Sequence, residues 1–118
     1  MSYDNNNIFA KILRGEITCK KIYEDDFVLS FYDINPQKKI HALVIPKGEY
    51  IDLDDFNKKA SDEEIAEFHK AITHVVDLLG VSEKGYRILS NIGSDGGQEV
   101  PHLHFHIFAG EKIGKMVA

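Results

Sequence analysis

Apolar positions change their spacing several times along the chain, and each spacing predicts a different element. Ile8, Phe9, Ile12 and Leu13 recur about one turn apart, with asparagines before them and Gly15 after, which predicts a short helix over Ile8–Arg14. Ile22-Tyr23 and Phe27–Tyr32 are aromatic and branched runs on either side of the acidic turn Glu24-Asp25-Asp26, the pattern of a β-hairpin. Ile40–Ile45 is an apolar run ended by Pro46 and too short to favour a helix, so it predicts a third strand. From about Asp62 to Leu79, Ile65, Phe68, Ile72, Val75, Val76 and Leu79 fall on one helical face, with Ser61 and Glu64 as a capping box and Gly80 as the stop. Tyr86–Asn91 and Pro101–Phe108 predict a fourth and a fifth strand. The loop between them, Ile92–Gln98, holds three glycines that permit positive φ and close backbone approach to a ligand. Helix, three strands, helix and two strands define an α+β domain with a mainly antiparallel sheet.

Length and composition narrow the class. At 118 residues the chain fits one compact domain spanning 1–118. No window approaches ~20 consecutive apolar residues, so no membrane partner is expected. The polar start Met1–Asn7 has neither the basic nor the apolar region of a signal peptide, which predicts a cytoplasmic protein. Cys19 is the only cysteine, excluding an intrachain disulfide and any multi-thiolate metal site. A net charge of −5 disfavours nucleic acid as a partner, because nonspecific binding needs dense Lys and Arg. A single nucleotide is different: backbone N–H groups and a few histidines hold a phosphate without a basic surface.

The chemistry concentrates in Pro101-His102-Leu103-His104-Phe105-His106-Ile107. In a helix His102 and His104 would point about 200° apart, whereas in a strand all three histidines share one face and Leu103, Phe105 and Ile107 the other. His69 and His74, off the apolar face of the long helix, read as surface residues. Zinc is one use for the row, but His102 and His106 would lie ~13 Å apart along a strand, too far for joint ligation at ~2.0–2.1 Å. A zinc site would take two of them with His41, and neither a cysteine nor an obvious carboxylate accompanies the row. Nucleophilic catalysis uses all three: the middle imidazole attacks an α-phosphorus, and its neighbours orient it, contact phosphate oxygens and pass a proton to the leaving group. Gly96-Gly97-Gln98-Glu99 offers backbone N–H groups for the developing charge, and His41 stands within reach on a neighbouring strand. No metal and no cofactor are expected.

His102-Leu103-His104-Phe105-His106 resembles the signature of the histidine triad (HIT) family. The whole stretch Asn91–Gly110 is similar to the Hint branch, the purine nucleoside phosphoramidases, as are Ile8–Ile12, Phe31–Pro36 and His41–Lys47 in the same order. The resemblance implies a five-stranded antiparallel sheet with a short N-terminal and one long helix. It also implies a homodimer whose two sheets join into one of ten strands. His104 would take the nucleotidyl group, with His102 and His106 orienting it or contacting phosphate and leaving group. Asn91, Gly97, Gln98 and the Glu99-Val100 backbone would line the phosphate site, and Asp33 would accept hydrogen bonds from both ribose hydroxyls. Phe9, Ile12, Ile17, Phe31 and Ile34 would clamp the base, although their apolar character alone equally fits a core. His106, where nucleotidyltransferase relatives resemble Gln, points to the hydrolases.

Two positions depart from the pattern. Glu99 stands where many relatives carry Ser or Thr, so only a backbone contact to phosphate carries over. The tail from Gly110 lacks the Trp-Pro-Pro-like ending of eukaryotic members. The expected activity is hydrolysis of a purine nucleoside 5′-phosphoramidate or acyl-adenylate to the monophosphate. The alternatives are dinucleoside polyphosphate hydrolysis, a noncatalytic nucleotide-binding regulator of partner proteins, and, more weakly, zinc storage.

Overall fold

The computed structural model describes residues 2–117; Met1 and Ala118, the ends of the predicted 1–118 domain, lie outside the described residues. Eight elements follow in order: α1 (Ile8–Leu13), β1 (Lys21–Glu24), β2 (Val28–Tyr32), β3 (Ile40–Pro46), α2 (Leu53–Lys59), α3 (Asp62–Leu79), β4 (Arg87–Leu89) and β5 (Phe105–Ala109). The strands form one sheet in the order β1-β2-β3-β5-β4, antiparallel at each junction.

Strand alternation gives the sheet two different faces. Val28, Ala42, Val44, Ile107 and Ala109 face α3, where Phe68, Ala71, Ile72, Val75 and Val76 close the main core. Full burial of a side chain such as Phe68 contributes roughly 1.5–3 kcal/mol. On the other face Leu29, Phe31, Leu43 and Ile45 pack with Phe9 of α1 in a smaller core. α1 covers only part of that face, and the uncovered part is the one that carries histidines.

The helix ends follow from local chemistry. Ser61 accepts from the Glu64 N–H while the Glu64 carboxylate accepts from the Ser61 N–H, and Gly80 closes α3 with φ 69°. Asn7 caps α1 by accepting from the Ala10 N–H at 2.9 Å. The helix α2 is an addition to the predicted elements. Asp52 caps it, and Leu53 and Phe56 supply too few apolar positions for a period to show, yet Phe56 is fully buried between Tyr50 and Phe68.

Two predicted strands are shorter than expected. β4 covers Arg87–Leu89 rather than Tyr86–Asn91, because the chain turns away into the glycine loop. β5 begins at Phe105 rather than Pro101. Before it, the backbone bonds outside the ladder: the His102 N–H donates to the Val100 carbonyl at 2.9 Å, the Leu103 N–H to Tyr50 at 2.8 Å, and the Ser90 hydroxyl to the His104 carbonyl at 2.8 Å. The prediction of three histidines in one regular strand is therefore corrected, since only His106 lies in the sheet.

Candidate active site

Four histidines meet where β3 and β5 run side by side, and a hydrogen-bonding partner fixes the tautomer of each. Among the described residues no buried side-chain nitrogen or oxygen lacks a partner. His102 is fully buried, with Nε2 2.9 Å from the Pro46 carbonyl and Nδ1 2.5 Å from the Tyr3 hydroxyl. A carbonyl only accepts, so Nε2 carries the hydrogen and Nδ1 accepts from Tyr3. His104 Nδ1 lies 2.7 Å from the His102 carbonyl and by the same rule is the protonated nitrogen. Its Nε2 has no protein partner and so opens to the cavity with a free lone pair.

A second chain of bonds reaches the cavity from β3. The Gln37 N–H donates to His41 Nδ1 at 3.2 Å, so His41 carries its hydrogen on Nε2 and donates to His106 Nδ1 at 2.9 Å. His106 is left with its hydrogen on Nε2, the nitrogen free to meet a ligand. Asp33, which accepts from the Asn35 N–H at 2.8 Å, places its other oxygen 3.4 Å from His41 Nε2. A carboxylate therefore does accompany the histidines, brought in by the chain after β2 rather than by sequence proximity.

Burial sets the protonation states. It lowers the pKa of His102 and of His106 to about 4, further depressed in both by the neighbouring His104. Burial also lowers His104 and His41, against opposing pulls from the His102 carbonyl on His104 and from Asp33 on His41. All four imidazoles are neutral at pH 7, which is the form a nitrogen nucleophile requires. Phe9 packs edge-on against His104 with ring centroids 4.9 Å apart, and His106 stacks on Phe108 at 5.6 Å.

A cavity of about 160 Å³ lies against these groups. Of the residues predicted from sequence, Phe9, Asp33, Asn91, Gly97, Glu99, Val100, His104 and His106 line it. His102 and His41 do not line it; the His102 carbonyl is bonded to His104, and His41 Nε2 to His106. Phe31 is buried in the smaller core and Ile12 packs against it, while Ile17 and Ile34 are 38% and 89% exposed and are not among the cavity's lining residues. Gln98 braces the loop instead, donating to the Ile51 and Val100 carbonyls and accepting from the Gly93 N–H. Gly97 takes φ 76°, and a Cβ on Gly96 would meet the Ile92 carbonyl oxygen at 2.3 Å, so the loop's tight return needs both glycines.

Gln37, Leu43 and Tyr3 were not anticipated. Leu43 pairs with His106 across the ladder and shares the face of His41, so strand alternation contains the signal for it. Gln37 and Tyr3 act through turns and the N-terminal segment, where periodicity carries none. Asp33, His41 and His106 each offer a ligand atom within 4.8 Å of the others, the grouping that a divalent ion would find. The His41–His106 hydrogen bond already occupies two of those atoms, so an ion would have to displace its proton.

The sheet and the histidine cluster define an α+β domain with a neutral, cavity-facing imidazole. Comparison with known proteins says which one. The HIT domain model matches residues 14–113, and the chain belongs to the HIT family. It is 56% identical to an uncharacterised HIT-like protein of Azospirillum brasilense, over 98% of this chain and 95% of that protein. It is 35% identical to the purine nucleoside phosphoramidase of Escherichia coli K12, over 94% of this chain and 92% of that enzyme. Among solved structures, a HIT family hydrolase from Clostridium thermocellum superposes with a TM-score of 0.88 at 36% identity, covering 98% of this chain and 99% of that one. The five-stranded antiparallel sheet with helices is the arrangement shared with these structures.

Proposed function

We propose that the protein hydrolyses purine nucleoside 5′-phosphoramidates or acyl-adenylates to the nucleoside monophosphate through a nucleotidyl group on His104. The observation that carries this reading is the lone pair of His104 Nε2, which has no protein partner at the cavity wall while Nδ1 is held by the His102 carbonyl.

In the first step Nε2 attacks the α-phosphorus, forming a P–N bond to His104 as the P–N bond to the leaving amine, or the P–O bond to the leaving carboxylate, breaks. An entering phosphate brings negative charge beside His106 and His41, which favours uptake of a proton by that pair. His106 Nε2 hands this proton to the leaving group. Water then attacks the adduct and returns a proton to His106, and the P–N bond to His104 breaks to release the monophosphate. The Gly97–Val100 backbone and Asn91 hold the phosphoryl oxygens, and Asp33 receives the ribose hydroxyls. Phe9, Leu43 and Val100 give the cavity its apolar wall, against which the nucleoside would pack.

The charge of the cavity favours a phosphoramidate over a dinucleoside polyphosphate. Its walls include the carboxylates Asp33 and Glu99 and no Lys or Arg, so a leaving group bearing further phosphates meets repulsion while an amine does not. The E. coli relative is named a purine nucleoside phosphoramidase, which supports the same class. Turnover of an adenosine phosphoramidate measured beside diadenosine tri- and tetraphosphate tests the assignment: the first should dominate, and faster cleavage of the polyphosphates would reverse it.

The reading extends to the assembly. The expected homodimer pairs α3 and the β4 edge of two copies into a ten-stranded sheet, covering Leu78 and Ile88, which are 62% and 42% exposed. Light scattering during size exclusion measures the mass, and a monomer at micromolar concentration would count against the dimer. No helix among the described residues is long and apolar enough to cross a membrane, and a cytoplasmic site of action accords with the reading.

A further inference from the structure

We propose that Tyr3 is a positioning residue for the nucleophilic histidine, acting through His102; the proposal rests on the assignment of His104 as the nucleophile. Tyr3 lies outside the residues 14–113 matched by the family model, so its contribution belongs to the N-terminal segment of this chain.

The hydrogens in this network have one consistent assignment. The Pro46 carbonyl takes the His102 Nε2 hydrogen, which leaves Nδ1 a bare acceptor on a ring that is fully buried. Without a donor it would be an unsatisfied buried nitrogen, and the Tyr3 hydroxyl at 2.5 Å is that donor. A phenol has one hydrogen, so its oxygen is then free to accept, and it does so from Asn7 Nδ2 at 2.9 Å. Asn7 can only be oriented this way, because its oxygen accepts from the Ala10 N–H and its amide also donates to the Asp4 carbonyl at 2.8 Å. The cap of α1 and the aim of the Tyr3 hydroxyl are thus set by one side chain.

The consequence falls on the peptide between His102 and Leu103. Its carbonyl holds His104 Nδ1 and so keeps the Nε2 lone pair toward the cavity. The Leu103 N–H of the same peptide is held by the Tyr50 carbonyl at 2.8 Å. The His102 side is held through the ring, clamped between Pro46 at the end of β3 and Tyr3. The Tyr3 ring also meets the His102 ring edge-on at a centroid distance of 5.6 Å. A purely structural Tyr3 would need only that packing, whereas a positioning Tyr3 needs the hydroxyl.

Tyr3→Phe separates the two, since it keeps the ring and removes the one hydrogen that reaches His102. The expected result is a ~10-fold lower single-turnover rate of adduct formation, the cost of one buried hydrogen bond expressed in the reacting geometry, with affinity for AMP unchanged. The ¹⁵N signals of His102 should shift as Nδ1 loses its donor, and those of His104 should report a mixture of tautomers. Asn7→Asp gives a second route: aspartate still caps α1, but it replaces a donor to the phenol by an acceptor that draws the phenol hydrogen away. It should reproduce the defect in milder form. A Tyr3→Phe protein that reacts at the wild-type rate would overturn the proposal. So would a rate loss matched by an equal loss of AMP affinity, or unchanged imidazole ¹⁵N signals. If the wild type turns over no phosphoramidate, the reaction assigned to His104 fails, while the ¹⁵N comparison, which needs no substrate, still decides the role of Tyr3.

Discussion

On the α3 side of the sheet, Ala42, Val44, Ile107 and Ala109 are closed over by Phe68, Ala71, Ile72, Val75 and Val76. On the opposite side the intervening residues of the same two strands, His41, Leu43, His106 and Phe108, are covered by no long helix, only by the six-residue α1 and loop segments that border a cavity. One face spends its apolar area on stability, and the other keeps an open cavity. The incomplete face can carry three buried imidazoles and a half-buried one because each is given a partner: Pro46 and Tyr3 for His102, the His102 carbonyl for His104, and the pair His41–His106 for each other. A buried polar group without such a partner would cost roughly 1–3 kcal/mol.

The sharpest way to break this comparison is to delete one large side chain from each face. His104→Ala should lose ~10³-fold or more in turnover while the thermal midpoint stays within a few degrees, as expected for a covalent nucleophile at a ligand-facing position. Phe68→Ala should do the reverse, costing about 3–5 kcal/mol of stability in denaturant titration while the folded fraction keeps its specific activity. Equal effects on both quantities from both variants would erase the division between faces.

Titration probes the same division with a smaller effect. His102 and His106 are held at about 4 in the folded protein, against about 6.5 in an unfolded chain, so between these values the unfolded state binds more protons. Their contribution is fully present above pH ~6.5 and is lost as pH falls through about 4. The thermal midpoint should therefore decline over that window, and His102→Gln should flatten the decline. A midpoint insensitive to pH across the window would mean that these rings are not held neutral.

The smallest expected effect refines what the open face accepts. Glu99→Gln removes one of its two carboxylates and should raise the relative rate on diadenosine tetraphosphate several-fold, of the order expected for one partly exposed like-charge contact. An unchanged ratio of polyphosphate to phosphoramidate turnover would remove Glu99 from the account of specificity.

Periodicity made the stability side legible. The face Ile65–Leu79, the Ser61–Glu64 capping box and the Gly80 stop were readable from spacing alone, because a long amphipathic helix repeats its signal five times over. α2 was not, since seven residues give only about two turns around a single buried Phe56. On the active face the histidines and the glycine loop were visible as residue types, but their geometry was not. The alternation argument placed His102, His104 and His106 on one face of a strand, whereas Tyr50, Val100 and Ser90 pull the first two out of the ladder. Ile17 and Ile34, expected at the base, are exposed and outside the cavity's lining, while Leu43, whose register opposite His106 comes from long-range pairing, lines it. The role of Tyr3 depends on a bond to a residue 99 positions away, which no local pattern encodes.

The central claim is that His104 Nε2 forms a covalent bond to the nucleotide. Brief exposure to an adenosine phosphoramidate, an acid-free quench and peptide mass analysis read it directly. The account predicts an adenylyl mass increment on the peptide containing His104, localised to that residue and absent in His104→Ala. An increment on His102 or His106 instead, or burst-free turnover with no modified peptide at all, would contradict it.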